Sequence, residues 1–176
     1  MNSLRTQNLL GALAVALSDE LHRVTADRAG HGAAAPSALV SIETSPGMSI
    51  ETLSKILSLS HSGTVRLIDR LVGDGLVERA PGVDGRAVAL RLTTKGKQAT
   101  RSILAERRRV LAGALQTLTA QEQLHLGSLL DRLLSGITRS RGHADHICRL
   151  CDESVCPGTQ CPVEVTAVRR TAVKTE

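Results

Sequence analysis

The feature that most constrains this chain is a change of periodicity in its middle. Between residues 37 and 93, three short segments with helical spacing give way to two β-patterned runs, residues 76–79 and 87–92, joined by Pro81-Gly82-Val83-Asp84-Gly85. Gly, Pro and Asp packed into so short a joint make a hairpin turn. An amphipathic helix over residues 4–27 precedes this lobe, with Leu10, Leu13, Ala14, Leu17, Leu21 and Val24 at helical spacing. A Gly- and Ala-rich link then runs to Pro36. Two longer helices follow the hairpin, over residues 94–116 and 120–138. The second is capped by Thr119 with Glu122 three residues on, and carries Leu126, Leu129, Leu130, Leu133, Leu134 and Ile137. The fold class expected is mostly α (α+β). Leucine faces this wide cannot be buried against so small a lobe, so the flanking helices are expected to pair with a second copy as a homodimer.

Composition narrows the function. The chain has 176 residues, 41% of them hydrophobic, enough for one domain or two small lobes sharing a core. Lys and Arg number 22 against 17 Asp and Glu, a net charge of +5 that suits a polyanionic partner. Phe, Tyr and Trp are all absent, which excludes RNA-recognition modules that stack bases on aromatic platforms. No apolar run reaches the roughly 18 residues that span a bilayer, so no membrane is expected as partner. Residues 9–17, LLGALAVAL, have the length of a signal-peptide core, but the helical spacing continues past them and they are read as helix.

Within the middle lobe, Ser49 caps a helix with apolar residues at 50, 53, 56 and 57. The chain turns at Leu59-Ser60 and enters a second helix from His61 onward, where Val65, Ile68, Leu71 and Val72 form the expected buried stripe. Ser60, His61, Ser62, Thr64, Arg66 and Arg70 are left for the other side, and Gly73-Asp74-Gly75 stops the helix. This is helix-turn-helix logic, in which the second helix offers its N-terminal end to the major groove of double-stranded DNA. Arg66 is the leading base-edge candidate. Arg70 has Asp69 and Asp74 as alternative partners.

These residues carry a family resemblance. Ser49 through Leu53 and Leu57, Ser60 to Arg66, Leu67 to Leu71, Gly75-Leu76-Val77-Glu78-Arg79, Asp84-Gly85-Arg86 and Leu92-Thr93-Thr94-Lys95-Gly96 together resemble the MarR family of winged-helix regulators, over roughly residues 35–140. The resemblance implies a winged helix-turn-helix with flanking dimerisation helices, in a triangular homodimer. It also implies a wing arginine in the minor groove, by position Arg86, with Asp84 orienting it. Gly85 stands where the family often has a second arginine, which implies a weaker wing contact. The small-molecule effector that some members bind is left open.

The four cysteines, Cys148, Cys151, Cys156 and Cys161, are spaced C-x2-C-x4-C-x4-C. Their confinement to one short stretch argues against a disulfide framework and for a cytoplasmic protein with one local site. Thiolates this close can converge on a single tetrahedral metal ion, and the spacing is that of a retroviral-type zinc knuckle with Cys156 in the histidine place. Pro157 and Pro162, each following a cysteine, also fit iron–sulfur proteins. One metal centre per chain is expected, Zn2+ ahead of an iron–sulfur cluster, with reversibly oxidised thiols as the third reading. His143 and His146 are spare ligands within reach.

An enzyme is not expected, because no nucleophile, base and orienting group stand at meaningful spacing. Cys148-x-x-Cys151 lacks the βαβ context of a dithiol oxidoreductase. The division expected is a dimerisation helix and link over 1–35, a DNA-binding lobe over 36–93, and dimerisation helices over 94–140. A four-cysteine metal or redox site over 141–162 and a flexible tail over 163–176 complete it. The function expected is a repressing transcriptional regulator on a pseudo-palindromic operator, with the cysteine site as its sensor or a structural anchor.

Overall fold

The computed structural model describes residues 3–29, 32–81, 88–156 and 158–172, and for 26–29 the backbone only. Helix α1 (Ser3–Ala29) is followed by α2 (Ala35–Thr44), α3 (Ile50–Leu57) and α4 (His61–Gly73). Strands β1 (Val77–Pro81) and β2 (Val88–Leu92) then form an antiparallel hairpin with Val77 opposite Leu92 and Arg79 opposite Leu90. Helices α5 (Thr94–Leu115), α6 (Ala120–Ile137), α7 (Arg141–Cys148) and α8 (Pro162–Ala172) complete the chain. The long helices lie within a residue or two of their expected bounds. The hairpin joint, with Asp84 and Arg86, lies outside the described residues. Among the described residues no helix is long and apolar enough to cross a membrane.

One aliphatic core holds the lobe together. Leu39 and Ile42 of α2, Leu53 of α3, Ile68 and Leu71 of α4, Leu90 of β2 and Ile103 of α5 are fully buried against one another. Each contributes about 2–3 kcal/mol of apolar transfer free energy. The hairpin is tied in on its free edge as well. Gly47 N–H donates to the Leu90 carbonyl at 2.8 Å, and Leu90 N–H returns a bond to Met48 at 3.0 Å. Gly47 has φ +93, which a side chain would resist.

The junction of hairpin and long helix explains the Leu-Thr-x-x-Gly run. Thr93 caps α5, accepting the Gly96 N–H at 3.0 Å while its hydroxyl donates to the Gly75 carbonyl at 2.6 Å. Lys95 Nζ donates to the Asp74 carbonyl at 2.8 Å. A Cβ on Gly96 would stand 2.0 Å from the Leu76 carbonyl oxygen, so only glycine lets α5 start there.

Two helices carry unburied apolar faces. Helix α6 has no buried residue, and Leu129, Leu130, Leu133 and Ile137 are each 41–52% exposed. On α1, Leu4, Leu9, Leu10, Leu13 and Val15 are exposed in the same way. Leu134 differs. It packs with a second, smaller core of Ala144, Cys161, Val163 and Ala167.

That second core corrects the expectation of a flexible tail after Pro162. Residues 162–172 form α8, begun by a proline that suits the first helical turn. Val163 and Ala167 bury against Ala144, and Arg141 bridges to Glu164 at 2.5 Å. Small apolar residues at wide spacing give a weak sequence pattern but a close helix contact.

Gly96→Ala is expected to lower stability by about 3 kcal/mol, because a backbone carbonyl rather than a flexible side chain must move. A thermal or urea unfolding midpoint equal to that of the unsubstituted protein would refute the junction.

Candidate nucleic-acid interface and cysteine pocket

Helix α4 is built to expose its first turn. Ser60 caps it, its hydroxyl accepting the Gly63 N–H at 3.1 Å. Its buried residues are Thr64, Leu67, Ile68 and Leu71. This stripe is turned by about 60° from the expected one, with which it shares Ile68 and Leu71. Val65 and Val72 are only half-buried. The rotation overturns one candidate contact. Thr64 is 0% exposed and its hydroxyl donates to the Ser60 carbonyl at 3.1 Å, so it is a core residue and cannot reach a groove.

The same rotation leaves His61, Ser62, Arg66, Asp69 and Arg70 on the outside. Among the described residues, Arg66 has no ion-pair partner. Arg70 takes neither expected carboxylate and donates Nε–H to the Arg66 carbonyl at 3.3 Å. Asp69 pairs instead with Arg79 of β1 at 2.7 Å, tying the helix to the hairpin. Ser60 is exposed but committed as the cap, and Ser62 Oγ lies 3.4 Å from it. Asp84 and Arg86 lie outside the described residues, so their placement is not part of this geometry.

The structure brings the four cysteines to one pocket of about 250 Å3, lined also by Ser41, Met48, Ile56, Asp145 and Glu153. Cys148 is close enough to Cys151 and Cys161, and Cys156 to Cys161, for their thiols to act on one another electrostatically. Among the described residues, no three Cys, His, Asp or Glu side chains stand in a metal-binding arrangement. Both spare histidines are engaged through Nδ1. His143 accepts the Arg139 N–H at 3.2 Å, and His146 donates to the Ile56 carbonyl at 2.7 Å. The thiols are electrostatically unequal. The neighbouring Cys148 thiol, with charge support from Arg107 and Arg149, draws Cys151 down to about 7. Cys151, then burial, pushes Cys148 up. Desolvation, then Cys161, pushes Cys156 up to about 11.

Comparison with known proteins shows what the lobe resembles. Residues 32–87 match the model of the MarR family. Over that stretch the chain is similar to the MarR family. The structure of wild-type MarR from E. coli in its apo form is 29% identical, over 71% of this chain and 96% of that one, with a TM-score of 0.58. RV1404 from Mycobacterium tuberculosis superposes with a TM-score of 0.65 at 24% identity, over 79% of this chain and 96% of that one. YusO from Bacillus subtilis gives 0.63 at 23% identity, over 73% and 92%. No curated protein matches the chain. The fold is that of MarR-family transcriptional regulators, which are not enzymes. The MarR match ends before the cysteines, which form an addition beyond it.

Sequence reasoning missed part of that addition. Read from the sequence alone, the run Arg107-Arg108-Arg109 cannot point one way and is a solvated face. Instead Arg107 bears on Cys151, Arg108 reaches Asp152 at 3.8 Å, and only Arg109 turns back to Glu106, at 2.9 Å. The signal was the 100° step between successive helix positions, which obliges three adjacent arginines to face three ways. The partners of those faces were beyond the reach of periodicity.

In reduced, metal-free protein, Cys151 is expected to alkylate faster as pH rises through about 7, while Cys148 stays protonated. Cys148→Ala removes the donor to the Cys151 thiolate and should shift that rise toward the ordinary thiol range. Site-resolved mass spectrometry of alkylation checks both, and equal pH profiles at the two cysteines would contradict the geometry.

Proposed function

We propose that this chain is a sequence-specific DNA-binding transcriptional regulator that works as a homodimer on a pseudo-palindromic operator and represses. The observation that carries the reading is the outer face of α4, where Arg66, His61 and Ser62 project beyond a helix whose opposite stripe is locked in the core. A major groove admits such a helix, and Arg is the side chain that most often pairs with guanine edges there. The resemblance of the wing adds Arg86 as a minor-groove contact oriented by Asp84.

Dimerisation is supported by helices that a single chain leaves uncovered. An 18-residue helix with no buried residue and a leucine stripe on one side needs an apolar partner. A second copy supplies the same stripe by two-fold symmetry. Two reading helices then meet two half-sites about one helical turn apart. The net charge of +5 supports phosphate contacts. The cysteine pocket is the control element in this reading.

Affinity for duplex DNA is expected to fall about 1000-fold or more between about 50 and 200 mM salt if six or more phosphates are engaged. Arg66→Ala should cost about 1–3 kcal/mol on the selected operator and relax its specificity, whereas Arg86→Ala should weaken operator and A·T-rich DNA alike. Salt-independent binding, or two silent arginine substitutions, would overturn the assignment. Leu130→Asp or Leu133→Asp is expected to give a monomer by sedimentation that has lost high-affinity operator binding. A monomeric unsubstituted protein at micromolar concentration would rule out the dimer.

A further inference from the structure

We propose that the four-cysteine pocket is a thiolate site for one Zn2+ ion, and that its occupancy sets how the reading helix lies relative to α6. The second half of this inference rests on the DNA-binding reading above. All the cysteines of the chain, Cys148, Cys151, Cys156 and Cys161, line this one pocket. Four sulfur donors on a short span suit a borderline-soft, tetrahedral cation. Binding releases to solvent whatever S–H protons the four thiols still carry as four sulfur–zinc bonds form, leaving a centre of net charge −2. Arg149 lines the same pocket and can offset that charge.

The thiols must draw together to coordinate, since no three of them stand in a metal-binding arrangement. The chain is free to do this. Cys148 ends α7 and Cys161 is buried just before α8, while Cys151 and Cys156 lie outside helix and strand between them. Contraction of this segment would pull on both lobes at once. Leu150 packs on the core of the helix-turn-helix, whereas Cys148 and Cys161 pack in the second core beside Leu134 of α6.

The grip on the reading head is specific. His146 Nδ1 donates to the Ile56 carbonyl and lies 3.3 Å from Ser58 Oγ, and Ser58 is the turn residue held at φ 54 between α3 and the α4 cap. A non-glycine residue in that conformation is strained, so an outside contact can bias it. Asp152 reaches α5 through Arg108. The cysteine segment therefore touches the turn that aims α4, the helix that leaves the lobe, and the helix with the uncovered leucine stripe.

The test uses the full chain purified without oxygen. Titration with Zn2+, or with Co2+ as a coloured probe, is expected to end at one ion per chain, with thiolate-to-cobalt charge transfer and four thiols that become titratable on chelation. Operator affinity should differ at least several-fold between the zinc-loaded and stripped forms. Cys156→Ser, at an exposed position, should lose stoichiometric binding. His146→Ala should keep one ion per chain yet lose the effect of zinc on operator affinity. Four titratable thiols with no bound metal, two disulfides, or a coloured iron–sulfur cluster would each overturn the zinc site. Equal operator affinity with and without zinc, or an unchanged zinc effect in His146→Ala, would overturn the control. Stoichiometric zinc in a chain that binds no duplex DNA in either form would leave the site standing and sink the DNA-binding reading instead.

Discussion

The direction of α5 depends on the near-contact between Gly96 and the Leu76 carbonyl. The Thr93 hydroxyl bonds the end of the α4–β1 turn on one side and the first turn of α5 on the other, so the long helix leaves the lobe at one angle. Ile103 then reaches back into the core, and α1 and α2 pack along α5. The leucine face of α1 is thereby carried at a set distance from the outer face of α4. Two faces that share no residue are placed relative to each other by one threonine and one missing side chain.

Much of this was legible because capping chemistry is local. Ser49 and Thr119 each cap the helix that their spacing announced, and the Thr119–Glu122 capping box is complete in the structure. The leucine stripes were legible for the same reason, since 3.6-residue periodicity survives in a single chain. Thr64 was not, because a threonine can lie in an apolar stripe at no cost once its hydroxyl bonds the carbonyl four residues back. Helix α8 was hidden by the modest apolar content of its contact face, where Val163 and Ala167 suffice because α7 offers Ala144 there.

The cysteines illustrate a different limit. Their spacing showed that they could meet, and the structure does bring them to one pocket. Spacing said nothing about what else the segment would touch. The distance from His146 to Ile56 is 90 positions in sequence but one hydrogen bond in space. Contacts of that kind come from how α7 docks on α3, and docking is decided by shape. Likewise the arginine run on α5 was read as a solvated face because its neighbours across the gap were not yet in place.

If the pocket takes the zinc ion proposed above, the arrangement of two cores lets its occupancy act on the reading head for little free energy. The larger core holds the reading head and the smaller one holds α7, α8 and the edge of α6, and the segment between them is made of turns. A several-fold change in operator affinity requires only about 1 kcal/mol of coupling. Structural zinc binding to thiolate sites releases about 10–16 kcal/mol in small domains. A small fraction of that, applied through the His146 contact to a turn already held in a strained conformation, is enough to shift the population of reading-head orientations. A stiffer joint would spread the same energy through the whole chain, whereas here the turns confine it to the two ends that the segment grips.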